Sequence, residues 1–128
     1  MLLQSDDVEI IVVALLAVNR YSLEMAYNIL PNLQDEGLLA PKHVVSMSIE
    51  DIISKLYKSG YRRGGLMELM AIRYLELNKA IDSGKLDSLI DYIADRKIDK
   101  ASACLQKVKG IGPSVANTII EILKSKYK

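Results

Sequence analysis

A stretch near the carboxyl end of the sequence, residues 105–116, carries the residue types best suited to chemistry: lysines, two closely spaced glycines and a proline. Gly110 and Gly112 permit a very tight turn, because glycine tolerates positive φ and the close approach of another backbone. Pro113 fits the first turn of a helix, where its missing N–H costs nothing. We therefore predict two helices joined by this turn, the second beginning near Pro113.

The predicted turn would present an anion-binding surface. The N–H groups of Gly112, Ser114 and Val115 would have no acceptors inside the helix and would lie at the positive end of its dipole. Lys107 and Lys109 flank this position. Contacts of this kind hold a protein on the nucleic-acid backbone without reading a base sequence. The alternative is an αα-hairpin whose glycines only make the turn, but the adjoining lysines and proline favour DNA binding.

Apolar residues predict how the turn is anchored. Ile111, between the two glycines, is expected to point into the core. The second helix then presents one apolar face, and the small side chain of Ala116 would allow a close approach of the two helices. The face consists of Val115, Ala116, Ile119, Ile120 and Leu123.

Charge is distributed unevenly along the chain, although the net charge is only +1. Residues 1–95 hold nine Lys or Arg against 14 Asp or Glu, whereas residues 96–128 hold eight against two. A basic end on an acidic body is typical of an oriented contact with phosphates. The alternative is a solvated lysine tail formed by Lys124, Lys126 and Lys128.

Composition excludes several classes of protein. A length of 128 residues, half of them apolar, fits one globular domain. With Cys104 as the single cysteine and His43 as the single histidine, a disulfide framework, an iron–sulfur cluster held by four cysteines of one chain and histidine-based catalysis are all disfavoured. The longest apolar run, residues 10–18, is too short for a membrane span of ~20 residues, and the start lacks the basic segment of a signal peptide. We expect a cytoplasmic protein associated with the chromosome.

The remaining sequence predicts short helices. Ser5 is a candidate N-cap of an apolar first helix, and Ser22 caps a second helix that Pro31 should stop. Ser48 and Asp51 form a variant of the capping box. No segment alternates apolar and polar residues over enough length for a strand, so the fold class is all-α. The predicted helices cover residues 6–18, 23–30, 33–39, 49–57, 66–81, 86–94, 99–106 and 113–128.

The turn resembles the helix-hairpin-helix motif of DNA-repair proteins, and the resemblance extends over roughly residues 7–125. Residues 14–27 look like the start of the helix-hairpin-helix DNA glycosylase domain of the endonuclease III superfamily, with residues 19–27 most similar to archaeal 8-oxoguanine glycosylases. Residues 52–63 and the long helix after them match the order of elements in that superfamily. The resemblance implies one domain, residues 1–128, built as a six-helix-barrel-like bundle with the hairpin at about 100–124.

That resemblance also implies a partner and a ligand. The partner is duplex DNA, bound through its backbone, as in base excision repair, where the damaged base is flipped out of the stack. The ligand is a monovalent cation, Na+ or K+, held by the backbone carbonyls of Gln106, Val108 and Ile111. No other cofactor is expected, and with one cysteine no iron–sulfur cluster is expected.

The resemblance further places Asn19 and the pair Arg62 and Arg63 on the DNA side. Related glycosylases put an amide side chain at the position of Asn19, where it enters the gap left by the flipped base. The alternative for Asn19 is a cap at the end of the first helix. The two arginines adjoin a glycine turn and could reach a phosphate.

The sequence departs from the superfamily at its catalytic positions. Ser114 stands where the lysine nucleophile is expected, and the aspartate that should follow would fall near residue 132, beyond Lys128. The second domain of these enzymes is also not expected in this chain. We therefore predict a DNA-binding domain without catalysis of its own. Two alternatives stay open: an active glycosylase whose acid is atypical or supplied by a second protein chain, and a protein–protein interaction module.

Overall fold

The chain folds into nine α-helices and one short 3-10 helix, without β-strands, in a computed structural model that describes residues 1–128. The all-α class predicted from the sequence is confirmed. No helix in the fold has both the length and the apolar character required to cross a membrane. The helices are α1 (Ser5–Leu16), α2 (Leu23–Asn28), α3 (Leu30–Asp35), α4 (Pro41–Val44), α5 (Ile49–Lys58), α6 (Met67–Asp82), α7 (Leu89–Ala94), α8 (Ile98–Gln106) and α9 (Pro113–Lys126), with the 3-10 helix at Gly64–Leu66.

Helix α1 is the centre of the bundle. Every residue from Ile11 to Leu16 is buried, and the helix packs against α2, α6 and α9. Its β-branched run, residues 10–13, favours a strand by local propensity. It is helical here because a helix that is apolar on all sides is stable where neighbours surround it.

Two groups of helices pack around α1. Helices α4 and α5 pack on α6, whereas α7, α8 and α9 pack on one another. The fully buried Tyr74 of α6 donates its hydroxyl to the carbonyl of Leu38 at 2.5 Å, and burial raises the pKa of this tyrosine. A polar atom buried this deeply needs such a partner, so the bond joins α6 to the segment before α4.

Local signals in the sequence fix several helix ends as predicted. The hydroxyl of Ser22 accepts a hydrogen bond from the N–H of Met25 and caps α2. Ser48 and Asp51 form the predicted capping box of α5. Helix α6 ends at Asp82 with Ser83 as its C-cap, directly before a glycine.

Other helix boundaries differ from the predictions. The N-cap of α1 is Gln4 rather than Ser5, because the carboxylate of Asp7 accepts the Gln4 N–H at 2.8 Å. Pro31 does not stop the second helix; it lies in the first turn of α3, where a proline is tolerated. His43 lies between two predicted helices, but in the structure it belongs to the short helix α4, and its side chain is exposed.

Candidate nucleic-acid interface

The predicted hairpin connects α8 to α9 through residues 107–112. Its two apolar residues, Val108 and Ile111, are each only 4 % exposed. The N–H of Ile111 donates to the carbonyl of Val108 at 3.0 Å and closes the turn. Ile111 therefore anchors the turn in the core, as its position between the glycines predicts.

The two glycines of the turn have different roles. Gly110 has a φ of +101°, and a Cβ there would lie 2.8 Å from the Cγ of Arg73. Gly112 has a φ of −95°, and a Cβ there would meet nothing within 4 Å. The positive φ that glycine tolerates is therefore used only at Gly110, because at Gly112 the backbone is already extended before α9. Gly112 instead leaves open space in front of the helix.

The amino end of α9 is polar and unsatisfied. The N–H groups of Gly112, Ser114 and Val115 donate no hydrogen bond within the chain, and no side chain caps the helix. Of the five helices with nine or more residues, α9 alone has no acidic residue in its first turn. The positive end of its dipole is therefore free for an anion from outside the chain.

Unpaired positive charge also collects at the hairpin. Lys107 and Lys109 are exposed, and neither forms an ion pair within the chain. In the tail, by contrast, Lys124 and Lys126 each lie within 3.5 Å of a carboxylate oxygen. In residues 96–128, the lysines at the turn are therefore free to bind an anion, whereas two of the three tail lysines are already paired with carboxylates.

Two of the three carbonyls expected to hold a cation are free. The carbonyl oxygens of Gln106 and Ile111 accept no backbone hydrogen bond, whereas that of Val108 accepts the N–H of Ile111. Carbonyls left open in this way can bind a cation or water. Among side chains, no group of three or more His, Cys, Asp or Glu residues is arranged to hold a metal ion.

Asn19 lies in a left-handed turn directly after α1. Asn19 has a φ of +53° and Arg20 a φ of +74°, and both residues are exposed. The guanidinium of Arg63 donates to the carbonyl of Val18 at 2.8 Å and to that of Asn19. The side chain of Arg63 thus holds the backbone of this turn, and the amide side chain of Asn19 forms no hydrogen bond within the chain.

Two tyrosines support the same turn. Tyr21 and Tyr61 pack edge to face at 4.8 Å, and the guanidinium carbon of Arg63 lies 5.2 and 5.6 Å from their ring centroids. Tyr61 is fully buried and donates its hydroxyl to the carbonyl of Leu16 at 2.9 Å, and burial raises its pKa. These rings are therefore part of the scaffold. Arg62 differs, since it is exposed and lies over the ring of Tyr57 at 4.6 Å.

Arg73 is the residue at this site that sequence reasoning missed. Its Cγ fills the space beside Gly110, where a Cβ added to the glycine would lie 2.8 Å from it. Arg73 therefore joins α6 to the hairpin at Gly110. A signal was present, because Arg73 directly precedes Tyr74 on the buried stripe of α6 and so lies at the edge of its apolar face.

Two large apolar side chains of α6 are exposed beside the hairpin. Leu69 is 41 % exposed and Ile72 is 37 % exposed. Both line a shallow depression of about 210 Å³ beside Lys109 and Gly110. The hairpin turn thus adjoins an exposed apolar pair as well as free lysines.

Comparisons with models of protein families, with curated proteins and with solved structures find no match to this chain.

Proposed function

We propose that this chain is a helix-hairpin-helix DNA-binding domain of the six-helix-barrel type found in DNA glycosylases, and that it binds the backbone of duplex DNA. The observation that carries the proposal is the free amino end of α9, where the amides of Gly112, Ser114 and Val115 lie unpaired beside Lys107 and Lys109. The resemblance of the turn to the helix-hairpin-helix motif supports the same function.

Binding would proceed through main-chain groups. A phosphate oxygen accepts hydrogen bonds from the amides at the start of α9, in the favourable field of the helix dipole. The missing side chain of Gly112 gives the phosphate room to approach, since nothing in the chain occupies that space. Lys107 and Lys109 add charge. Such contacts fix the position of the protein on DNA and are indifferent to base sequence.

Further parts of the interface follow from the resemblance. A Na+ or K+ ion would bridge a phosphate to the carbonyls of Gln106, Val108 and Ile111. The exposed side chains of Asn19 and Arg62 would extend the contact, while Arg63 would hold the turn that presents Asn19.

The role proposed for the chain is binding rather than strand cleavage. A lyase step requires an amine that forms a Schiff base with the opened sugar. The resemblance places Ser114 at the position of that amine, and a hydroxyl cannot form a Schiff base. Ser114 would instead contribute its backbone N–H to the phosphate contact.

The proposal is tested by titrating a fluorescent duplex with the protein at several salt concentrations and following anisotropy. Gly112→Val places an isopropyl group in the phosphate-binding space, while the φ of −95° suits valine and no internal clash arises. We expect affinity to fall about ten- to a hundredfold, the effect of losing one charge-assisted hydrogen bond. A matched control, Ser125→Val, adds the same side chain at an exposed position near the other end of α9.

A charge variant tests the same site independently. Lys109→Ala should lower the slope of log affinity against log salt by about 0.9, the contribution of one phosphate contact. Lys58→Ala, at an exposed and unpaired lysine of α5, should leave the slope unchanged. Wild-type affinity in folded Gly112→Val, or no binding by the wild type at low salt, would contradict the proposal and favour a protein–protein module.

A further inference from the structure

Three shallow depressions join along one side of the molecule, starting at the hairpin. The first, beside Leu69 and Gly110, shares Glu76 and Lys109 with the second. The second, about 370 Å³, shares Lys85 and Lys107 with the third, about 390 Å³. Because neighbouring depressions share lining residues, they lie side by side from the turn, past the end of α6, to α8, and we call this row the groove.

Five lysines line the second and third depressions, and we call this set the lysine track. All are exposed, and none forms an ion pair within the chain. The only carboxylate lining either depression is Glu76, which is likewise unpaired. The lysine track consists of Lys79, Lys85, Lys100, Lys107 and Lys109.

Helix dipoles do not account for the lysine track. Lys79 lies in the last turn of α6 and Lys107 at the end of α8, where a positive charge is favourable. Lys100, however, lies in the first turn of α8, where the dipole disfavours a cation. A row of unpaired like charges also raises the free energy of the folded chain through mutual repulsion. This repulsion would be relieved if a polyanion from outside the chain bound along the lysine track.

We propose that Lys79, Lys85 and Lys100 extend the DNA interface beyond the hairpin, so that consecutive backbone phosphates of a duplex follow the lysine track. The inference rests on the proposed function: the amides at α9 hold one phosphate, and the lysine track binds its neighbours. Along α8, Lys100 and Lys107 are about 10 Å apart at 1.5 Å per residue. Successive phosphates of one DNA strand advance about 3.4 Å along the helix axis, and the strand also winds around that axis, so this distance corresponds to one or two phosphate steps along the strand.

The shape and chemistry of the groove favour DNA over an acidic protein. Protein interfaces concentrate their affinity in deep pockets that accept aromatic or arginine side chains. The second and third depressions are shallow, and Tyr92 is the single aromatic residue that lines either of them. Lysine point charges along an open groove match the repeating charge of a nucleic-acid backbone.

The test is the salt dependence of duplex binding by a triple variant, Lys79→Gln with Lys85→Gln and Lys100→Gln. Three lost phosphate contacts should lower the slope of log affinity against log salt by about 2.7. The matched control replaces three exposed, unpaired lysines outside the lysine track, which gives the same change in net charge. It should keep the wild-type slope. Circular dichroism spectra first establish that both triple variants are folded. The control positions are Lys42, Lys58 and Lys128.

Cross-linking locates the DNA directly. Ala103 is exposed and lines the third depression, so Ala103→Cys with Cys104→Ala gives a single thiol in the groove. Modified with a photoreactive group, it should cross-link to duplex DNA well above the level of a control thiol at Glu50, an exposed residue of α5 with Cys104 likewise replaced.

The outcomes separate this inference from the proposed function. If Gly112→Val weakens binding while the triple variant keeps the wild-type slope and the thiol at position 103 does not cross-link, the lysine track is overturned and the hairpin stands. A reduced slope that the control triple reproduces also overturns it, because net charge alone would then explain the change. If the wild-type protein does not bind duplex DNA at all, both proposals fail.

Discussion

The two ends of α9 contrast sharply. At the amino end, next to Gly112, the backbone N–H groups have no partner in the chain and the flanking lysines are unpaired. At the carboxyl end, Lys126 and Tyr127 bind the first turn of α1. There, the hydroxyl of Tyr127 donates to the fully buried carboxylate of Asp7 at 2.8 Å.

The carboxyl end forms a closed set of charges. The ammonium of Lys126 lies 2.7 Å from the carboxylate of Asp6 and also binds Asp7. The hydrogen bond from Lys126 lowers the pKa of Asp6. Desolvation lowers the pKa of Lys126, but its bonds to Asp6, Asp7 and Tyr127 together outweigh this and raise it. Every polar group here therefore has its partner inside the fold.

The difference separates stability from binding within one helix. Polar groups that satisfy one another internally contribute to the free energy of folding and have little left to offer a ligand. Donors left open at a helix start are solvated in the free protein and can exchange water for phosphate at small cost. Substitutions at the closed end of α9 should therefore affect unfolding, whereas those at the open end should affect DNA affinity.

The largest effect is expected for Asp7→Ala at the closed end. The substitution leaves the Tyr127 hydroxyl and the Gln4 N–H without their acceptor and removes one partner of Lys126. Breaking a buried charged network of this kind costs about 3–5 kcal/mol, which urea denaturation measures directly. Asp6→Ala, at an exposed carboxylate of the same turn, should cost far less. Equal losses in the two variants would show that burial of Asp7 is irrelevant.

A smaller effect should distinguish the two glycines of the hairpin. Gly110→Ala forces alanine to a φ of +101° and brings its Cβ against the side chain of Arg73, so we expect a loss of about 1–3 kcal/mol. Gly112→Ala should change the free energy of unfolding by no more than about 0.5 kcal/mol, because its φ is ordinary and its Cβ meets nothing. Thermal unfolding of both variants measures these two losses. A larger loss for Gly112→Ala than for Gly110→Ala would contradict the backbone conformations described for the turn.

This pair also shows what the sequence could predict. The hairpin was predictable because its determinants are local: two glycines, a proline and an apolar residue within a few positions. The closed end was not, since Asp7 and Tyr127 are 120 positions apart and no local pattern joins them. From the sequence, Asp7 is only an acidic residue in a first turn and Lys126 only part of a charged tail.

Tertiary packing explains the other differences. Pro31 is predicted to stop a helix, but it lies in the first turn of α3, which begins at Leu30 directly after Ile29. Nor does a sequence indicate that Arg73 fills the space beside Gly110, or that Lys79 and Lys100 share one groove, since α6 and α8 bring these residues together from distant positions.

The smallest effect is expected for Lys126→Arg at the closed end, where the free energy of unfolding should differ from that of the wild type only at alkaline pH. The pKa of Lys126 in the folded chain is above its usual value of 10.5, so its contribution to stability is complete below pH 10.5 and is lost as the pH rises through the folded pKa. Above pH 10.5 the loss grows with pH, because the unfolded chain gives up the proton of Lys126 before the folded chain does. Lys126→Arg keeps the positive charge in this range, because a guanidinium does not deprotonate there. We therefore expect similar stability near neutrality and a shallower alkaline decline in the variant.

Denaturation curves at a series of pH values between neutrality and the alkaline limit give the comparison. The buried tyrosines also titrate in this range, since burial raises the pKa values of Tyr21, Tyr61 and Tyr74. Their contribution is the same in the wild type and in Lys126→Arg, so it cancels in the difference between the two curves. A difference that grows with pH assigns the decline to the ammonium group that closes this end of α9. Parallel curves would mean that Lys126 is equally charged in the folded and unfolded chains, and that Tyr127 alone holds Asp7.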